Sequence, residues 1–308
     1  GIRDVERSRG LGDVYKRQGK NTMRSKVLQT IRMRIVPLQV RVLGESEGMI
    51  RYYTLPPKGV AYPWLFVNMR KYKLLFRYDF QHAIVDSGVE YFFNHLRMKD
   101  YPHSYLVWYK HKAKELSQIF GEDRIAVVIP DYPDDYEKGL TYEGGQDNVD
   151  KTIKNIEDFI SVDGVTWIPV IQSRLHDSRS FWDSAMRVRE VVGDYPIVAV
   201  GTVCKSRSLS WIRWCLMNAR RRFPNSWIHA FGLTLSALRV VRRSINSFDS
   251  QLWDTRRVLW KKSRGLIDSF DSMSYTFPRR VGLPSAKNRE TRIRYFYAYL
   301  RRIEAIEG

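Results

Sequence analysis

The chain has 308 residues, of which 44% are hydrophobic and 13% aromatic, enough for a buried core in one large domain or two small ones. Fifty-two Lys and Arg against 33 Asp and Glu give a formal net charge of +19, which favours a phosphate-rich partner, although a solvated basic surface gives the same count. Two cysteines, Cys204 and Cys215, are too few for a disulfide framework, and the apolar runs are too short to cross a bilayer, so we expect a cytoplasmic protein without membrane contact.

Residues 1–22 carry no apolar periodicity and are predicted to be disordered. Within them, residues 13–18 (DVYKRQ) resemble the translation of a transposon-end adapter used in sequencing libraries. We therefore interpret this segment as an assembly artefact and expect the native start near Met23.

From Val85 onward, short β-rich runs alternate with longer helical patterns, which is typical of repeated βα units around a parallel sheet. Nearly all of the short runs are continuously apolar, as strands buried on both faces must be. The predicted strands are residues 82–86, 124–130, 167–172, 197–201, 227–231 and 245–248, with earlier ones in 35–43 and 64–67. The predicted helices are residues 104–120, 148–161, 180–192, 209–222 and 235–243, with Asp147 or Asn148 as N-cap of the second.

The number of units approaches the eight of a closed barrel, so we expect an α/β fold of the TIM-type (β/α)8 class, in irregular form, over residues 23–254. An open doubly wound sheet is the alternative, but its usual Gly-rich first turn is absent from the sequence. Residues 255–308 are predicted to form a basic, helical C-terminal extension. Its stretch 289–302 either docks on phosphates, with Phe296, Tyr297 and Tyr299 packed on the barrel, or is an ordinary amphipathic helix.

Barrel enzymes carry their chemistry at the carboxyl ends of the strands, where polar residues recur in this sequence. In chain order these are Asp86-Ser87-Gly88, Pro130-Asp131-Tyr132-Pro133, Gln172-Ser173, Gly201-Thr202-Val203, His229-Ala230-Phe231-Gly232 and Phe248-Asp249-Ser250. Each motif alone is most often a turn or a helix cap. Together they bring three carboxylates and an amide to one edge, a set that suits a purine, whose N–H groups need acceptors and whose carbonyl needs donors.

This ordered series resembles the tRNA-guanine transglycosylase superfamily, which comprises queuine and archaeosine tRNA-ribosyltransferases and a phage and bacterial branch acting on DNA. The matching stretches are VDSGVEYF (85–92), VVIPDYP (127–133), VIQSR (170–174), VAVGTVCKSR (198–207), WIHAFG (227–232) and SINSFDSQLW (244–253), a little over half of the chain. The tRNA enzymes of the family carry a C-terminal zinc site of three cysteines and a histidine, whereas no cysteine follows Cys215. The resemblance therefore implies no zinc or other cofactor, and DNA as substrate in preference to tRNA.

The resemblance also implies a mechanism, in which guanine is replaced by a 7-deazaguanine such as preQ0 through double displacement. Asp249 would attack C1′ of the target nucleotide, and Asp86 would accept a proton from the incoming base. The residues implied to bind the base are Ser87, Asp131, Tyr132, Gln172, Gly201, Thr202 and Phe231. Of these, Tyr132 or Phe231 would stack on the ring, and Gln172 with backbone N–H groups near Gly201 and Thr202 would contact its carbonyl.

A DNA target would be flipped out or presented single-stranded while basic residues hold its backbone. The candidate phosphate contacts are Arg220, Arg221, Arg222, Arg242, Arg243, Arg256 and Arg257, and a solvated helix face is the plain alternative for each. Three other functions stay open: exchange on tRNA, a catalytically inactive basic barrel that only binds nucleic acid, and a metal-dependent hydrolase. The hydrolase would use Asp86, Asp131, His229 and Asp249 as ligands, but it usually shows a His-x-His pair, which the six histidines do not form.

Overall fold

The structure is a computed structural model that describes residues 50–134, 145–243, 265–278 and 283–307. The predicted disorder over residues 1–22 and the predicted strands 35–43 and 245–248 lie outside the described residues. So do three of the site predictions, Asp249, Arg256 and Arg257.

The described strands form two sheets in which every neighbouring pair is parallel. They are β1 (Arg51–Tyr53), β2 (Trp64–Asn68), β3 (His82–Asp86), β4 (Ile125–Val128), β5 (Thr166–Ile168), β6 (Val170–Ile171), β7 (Ile197–Val200), β8 (Trp227–Ala230) and β9 (Ser269–Asp271). One sheet has the order β1-β9-β8-β7-β6 and the other the order β2-β3-β4-β5. The predicted α/β fold with parallel strands is therefore confirmed.

Helices follow most of the strands, as parallel connections require. They are α1 (His103–Phe120), α2 (Gly145–Ile160), α3 (Ser178–Val192), α4 (Leu209–Arg222), α5 (Leu235–Arg243) and α6 (Arg289–Glu307), with shorter 3₁₀ or π turns at Met69–Arg77, Glu90–His95, Thr202–Lys205 and Ser274–Thr276. Polar side chains start two of the helices: Asp177 accepts from the Ser180 N–H at 3.0 Å, and Ser208 accepts from the Trp211 N–H at 3.3 Å. Among the described residues no helix combines the length and apolar character that crossing a bilayer requires.

Two local features join the sheets. Thr54, directly after β1, forms a parallel bridge with Leu65 of β2, and the Phe66 N–H donates to the Thr54 carbonyl at 3.0 Å. On the other side, the predicted strand 167–172 is divided at Pro169, which has no N–H to donate to a ladder. Its first half, β5, pairs with β4, and its second half, β6, pairs with β7.

The core lies where the strands meet the helices that cover them. All residues of β4, β7 and β8 are buried, as their continuous apolar runs predicted. Large rings fill the space between the layers, and Trp167 and Trp227 are each 1% exposed. Burial of this kind is the main stabilising contribution to such a fold, at roughly 25 cal/mol per Å² of apolar surface.

The predicted elements agree with the structure in the middle of the chain and differ at its two ends. Strand 82–86 and helices 209–222 and 235–243 have the predicted bounds. Strands β1 and β9 were not predicted, because each has only three residues and neither is a continuous apolar run. Strand β9 pairs with both β1 and β8, so the sheet continues past the boundary expected at residue 254.

The C-terminal helix α6 packs against this sheet through its aromatic residues. Phe296 is fully buried and contacts Tyr62 and Tyr275 edge-on, at ring-centroid distances of 5.3 and 5.2 Å. The Tyr299 hydroxyl donates to Ser272 Oγ at 3.2 Å, directly after β9. Packing of the predicted aromatic residues is thus confirmed for Phe296 and Tyr299.

Candidate active site

A cavity of about 230 Å³ opens at the carboxyl ends of the strands. Parallel strands bring their last residues to one edge, so side chains far apart in sequence meet there. The predicted site residues that line this cavity are Asp86, Asp131, Gln172, Gly201 and Phe231. The volume is below the roughly 300–1,000 Å³ of pockets for drug-sized ligands, which favours a small occupant.

Asp86 is the last residue of β3 and reaches the cavity from a tight turn. Its Oδ2 accepts hydrogen bonds from the Gly88 N–H at 3.0 Å and from Asn68 Nδ2 at 3.3 Å. Gly88 has φ of +81°, a conformation that side-chain-bearing residues rarely adopt, so glycine is needed for this turn. The predicted Asp-Ser-Gly turn is therefore present, and it also directs a carboxylate into the cavity.

Burial raises the pKa of Asp86 to about 7, and the Gly88 hydrogen bond opposes this rise. The negative charges of Asp131, Asp271 and Glu90 raise this pKa further. All four carboxylates line the cavity. A carboxyl group with a pKa near neutrality is populated in both its protonated and ionised forms there, as an acid–base catalyst requires.

Asp131 and Gln172 form a hydrogen-bonded pair across the cavity wall. Gln172 Nε2 donates to Asp131 Oδ2 at 2.5 Å, and the Thr202 hydroxyl lies 3.5 Å from Gln172 Oε1. Gly201 makes this possible, because a Cβ added there would lie 2.2 Å from Gln172 Nε2. The Gly201 N–H donates to the Ile171 carbonyl at 3.0 Å, so the sheet uses the amide that was expected to contact a base.

Asp271 is the last residue of β9 and lines the same cavity as Asp86. Its Oδ1 accepts from the Gly232 N–H at 2.9 Å and lies 3.4 Å from Nε2 of the buried His229. The backbone of Asp271 is also fixed, because its carbonyl accepts from the Leu233 N–H at 3.0 Å. The next residue, Ser272, is fixed through its carbonyl, which accepts from the Tyr52 hydroxyl at 2.6 Å.

Three aromatic rings line the cavity, Phe66, Phe93 and Phe231. Phe231 was predicted as a stacking residue, whereas the other two were not. Tyr132 and Ser87, both expected to contact a base, do not line the cavity. Tyr132 is 5% exposed and packs edge-on against Phe93 at 5.4 Å, and Ser87 is fully buried with its Oγ 3.3 Å from the Tyr101 hydroxyl. Tyr132 and Ser87 therefore support the cavity wall without lining it.

The charge of the lining is one-sided. It contains the carboxylates of Asp86, Glu90, Asp131 and Asp271, and no Lys, Arg or His among the described residues. Such a lining disfavours a phosphate or carboxylate and favours a ligand with several N–H donors. Within the described part of the chain no group of three or more His, Cys, Asp or Glu side chains has the arrangement of a metal site.

The phosphate contacts predicted on two helices lie at the opposite ends of the strands. Helices α4 and α5 begin after strands that end at the cavity, so Arg220, Arg221, Arg222, Arg242 and Arg243, in their last turns, lie at the far edge of the sheet. Arg220 is moreover 2% exposed and forms an ion pair with Asp268 at 2.5 Å. The prediction is wrong for Arg220, because its buried guanidinium is a structural group.

Arg242 also has an internal partner. Its guanidinium donates to the Glu307 carbonyl at 3.0 Å and thereby holds the end of α6. Exposed cations at the carboxyl ends of the strands, which the sequence analysis did not select, include Arg70, Lys71, Arg97, Lys99, Arg174 and Arg179. They follow strands or turns whose residues line the cavity.

Asp271 is the site residue that the sequence analysis missed. The tripeptide Phe-Asp-Ser occurs twice, at 248–250 and at 270–272, and the nucleophile was assigned to the first copy, which ends the predicted strand 245–248 and lies in the stretch 244–253 that resembles the family's nucleophile segment. The second copy follows the apolar pair Leu266 and Ile267, which are 1% and 0% exposed. That short apolar run was the available signal.

No known protein-family model and no curated protein sequence matches this chain.

Proposed function

We propose that this protein is a base-exchange glycosyltransferase that replaces guanine in nucleic acid with a 7-deazaguanine, through a covalent intermediate on Asp271. The observation that carries the proposal is the meeting of Asp86 and Asp271, from strands far apart in sequence, at one small cavity with aromatic walls. A purine base offers the N–H donors and the flat ring that such a lining suits. Asp131, held by Gln172 at 2.5 Å, would accept from the base edge.

The fold proposed with this function is a closed barrel of eight parallel strands, counting β5 and β6 as one strand broken at Pro169. Two features support closure: the Thr54–Leu65 bridge between β1 and β2, and the pairing of β5 and β6 with opposite sheets. In such a barrel the catalytic residues come from the carboxyl ends of several strands, which is where the cavity lies.

Two carboxylates in different surroundings suit a double displacement. In the first step Asp271 Oδ2 bonds to C1′ of the nucleotide, the C1′–N9 bond breaks, and protonated Asp86 gives its proton to the departing guanine. In the second step the ring N–H of the incoming base passes its proton to Asp86, its nitrogen bonds to C1′, and the bonding electrons of the ester return to Asp271. Two inversions retain the configuration at C1′.

DNA is proposed as the polymer because two segments, Pro130-Asp131-Tyr132-Pro133 and His229-Ala230-Phe231-Gly232, resemble the DNA-modifying branch of the superfamily more than its tRNA enzymes. Since the target base is stacked inside a duplex, the nucleotide would be flipped out or presented single-stranded. Unstacking and unpairing the base costs about a few kcal/mol. Exchange on tRNA is the alternative outcome of the test below.

The test measures incorporation of radiolabelled guanine into DNA and into tRNA by the wild type, Asp271→Asn and Asp249→Asn. We expect exchange into DNA by the wild type, a loss of about 10³-fold or more in Asp271→Asn, and little change in Asp249→Asn, because a nucleophile cannot be replaced by an amide. Polymer binding by Asp271→Asn should stay close to that of the wild type.

Two results would contradict the proposal. Loss of exchange in Asp249→Asn with an active Asp271→Asn would return the nucleophile to the first Phe-Asp-Ser segment. A folded wild type that exchanges guanine into neither polymer would remove the function.

A further inference from the structure

His229 is a buried imidazole beside Asp271 that takes no part in the two exchange steps. It is 0% exposed, and its ring lies between Phe231, edge-on at 4.9 Å, and Phe66, nearly parallel at 6.2 Å. Tyr53 closes a third side at 5.9 Å. The ring is therefore fixed by packing, and its Nε2 lies 3.4 Å from Oδ1 of the cavity-lining Asp271, within ion-pair distance but outside hydrogen-bond geometry.

The other ring nitrogen belongs to a short hydrogen-bonded chain. Trp227 Nε1 lies 2.7 Å from Ser269 Oγ, and Ser269 Oγ lies 2.8 Å from His229 Nδ1. An indole N–H only donates, so Ser269 Oγ accepts from it. The one acceptor that the described residues offer to the buried Ser269 hydroxyl hydrogen is then His229 Nδ1, and buried hydroxyl groups find acceptors.

These directions determine the tautomer. If Nδ1 accepts, Nε2 carries a proton, and this buried N–H, which has no hydrogen-bond partner among the described residues, lies 3.4 Å from Asp271 Oδ1. The Gly232 N–H donates to the same oxygen at 2.9 Å. On Asp271, Oδ1 is therefore the oxygen next to both N–H groups, which leaves Oδ2 to react.

We propose that His229 is a positioning residue, whose Nε2–H moves into a hydrogen bond with Asp271 Oδ1 as Oδ2 attacks C1′, and that Trp227 and Ser269 fix the tautomer it needs. The inference rests on the proposed function for its catalytic meaning. It identifies the carboxylate oxygen that reacts. It also gives a role to a histidine beside a nucleophile that already accepts a hydrogen bond from a backbone N–H. When the ester breaks in the second step, the same two donors receive the returning negative charge.

The first test does not need activity. A two-bond ¹H–¹⁵N correlation spectrum of ¹⁵N-histidine-labelled wild type distinguishes a protonated ring nitrogen from a bare one, and His229→Gln identifies the resonances. We expect a protonated Nε2 and a bare Nδ1, with this preference lost in Ser269→Ala. A protonated Nδ1 in the wild type would overturn the inference, even if base exchange is observed.

The second test uses the rate of the covalent protein–DNA adduct in His229→Gln and His229→Leu. The glutamine amide reaches as far as Nε2 and donates, whereas leucine fills the space without a donor. We expect about a 10²-fold loss of rate in His229→Leu with unchanged DNA binding, and recovery of most of the rate in His229→Gln. Equal rates in His229→Leu and the wild type would overturn the inference.

Two controls keep the outcomes distinct. If both His229 variants fail to fold, Ser269→Ala gives the same comparison, since it removes the group that fixes the tautomer and leaves the ring in place; an unchanged adduct rate there would count against the inference. If the wild type forms no adduct with DNA or RNA, the proposed function fails, and the NMR result still decides the tautomer.

Discussion

At the scale of single residues, the carboxylates of the cavity differ in what surrounds them. Asp86 has a pKa raised to about 7 by burial, Asp131 is bonded to the Gln172 amide, and Asp271 accepts from the Gly232 N–H. Different surroundings give identical functional groups different roles, as in other two-carboxylate enzymes. In the proposed reaction Asp86 is the acid–base catalyst, Asp131 recognises the base and Asp271 is the nucleophile.

The raised pKa of Asp86 predicts a pH-dependent effect on stability. The ordinary value of 3.8 applies to the unfolded chain and about 7 to the folded protein. Between pH 3.8 and about pH 7, Asp86 is protonated in the folded protein but ionised in the unfolded chain. The contribution of Asp86 to the free energy of unfolding therefore falls as the pH rises towards 7 and is constant above it. Replacing it with Asn removes this loss.

We therefore expect Asp86→Asn to melt at a higher temperature than the wild type at pH 8, by several degrees, since 1 kcal/mol corresponds to roughly 2–4 °C in a domain of this size. The difference should be smaller at pH 5. Thermal unfolding followed by circular dichroism at pH 5, 6.5 and 8 measures it, with the exposed Asp163→Asn as a control. A difference that does not change with pH would contradict the burial of an ionisable Asp86.

At the scale of elements, helix α6 supports the strand that carries Asp271. Tyr299 bonds to the Ser272 side chain, and Glu307 accepts from the Ile50 N–H at 3.3 Å, next to β1. Strands β1 and β9 have three residues each and pair with one another. Such short strands gain much of their stability from the helix packed on them.

Removal of the central ring of α6 should therefore be costly. We expect Phe296→Ala to lower the free energy of unfolding by about 3–5 kcal/mol, since Phe296 is fully buried between Tyr62 and Tyr275. Urea unfolding measures this loss. Arg294→Ala, on the exposed face of the same helix, should change it by less than about 1 kcal/mol. A similar small effect for both would show that α6 contributes little to the fold.

At the scale of the whole molecule, negative and positive charge are separated near the cavity. The lining carries carboxylates without cations among the described residues, whereas exposed arginines, including Arg97 and Arg174, follow the segments that form it. A nucleic acid would place its base among the acceptors and its phosphates among the arginines.

This separation predicts which basic residues hold the polymer. We expect Arg97→Glu and Arg174→Glu each to weaken DNA binding by about 10-fold and to reduce its salt dependence, because phosphate contacts release counterions. Arg221→Glu is the matched control, an exposed arginine at the far ends of the strands. Fluorescence anisotropy with a labelled oligonucleotide at several salt concentrations measures both quantities. Equal weakening in all three variants would indicate that only net charge matters.

The sequence by itself determined the middle of the fold and part of the site. Continuous apolar runs such as β4 and β7 are decisive, because a strand buried on both faces needs them. Once those strands were predicted to be parallel, Asp86, Asp131 and Gln172 had to meet at one edge. The direction of each helix also follows from this topology, and it locates Arg221 at the ends of the strands opposite the cavity.

Only the tertiary structure decided the ends of the chain and the residues that close the site. β9 has three residues and pairs with β1, more than 200 positions earlier, so the short apolar run before it does not by itself identify a strand. The proposal of Asp271, in the second Phe-Asp-Ser segment, as the nucleophile depends on that pairing. The contact of His229 with Asp271 depends on it as well, since adjacent strands carry the two side chains, and distance in space is not encoded in local periodicity.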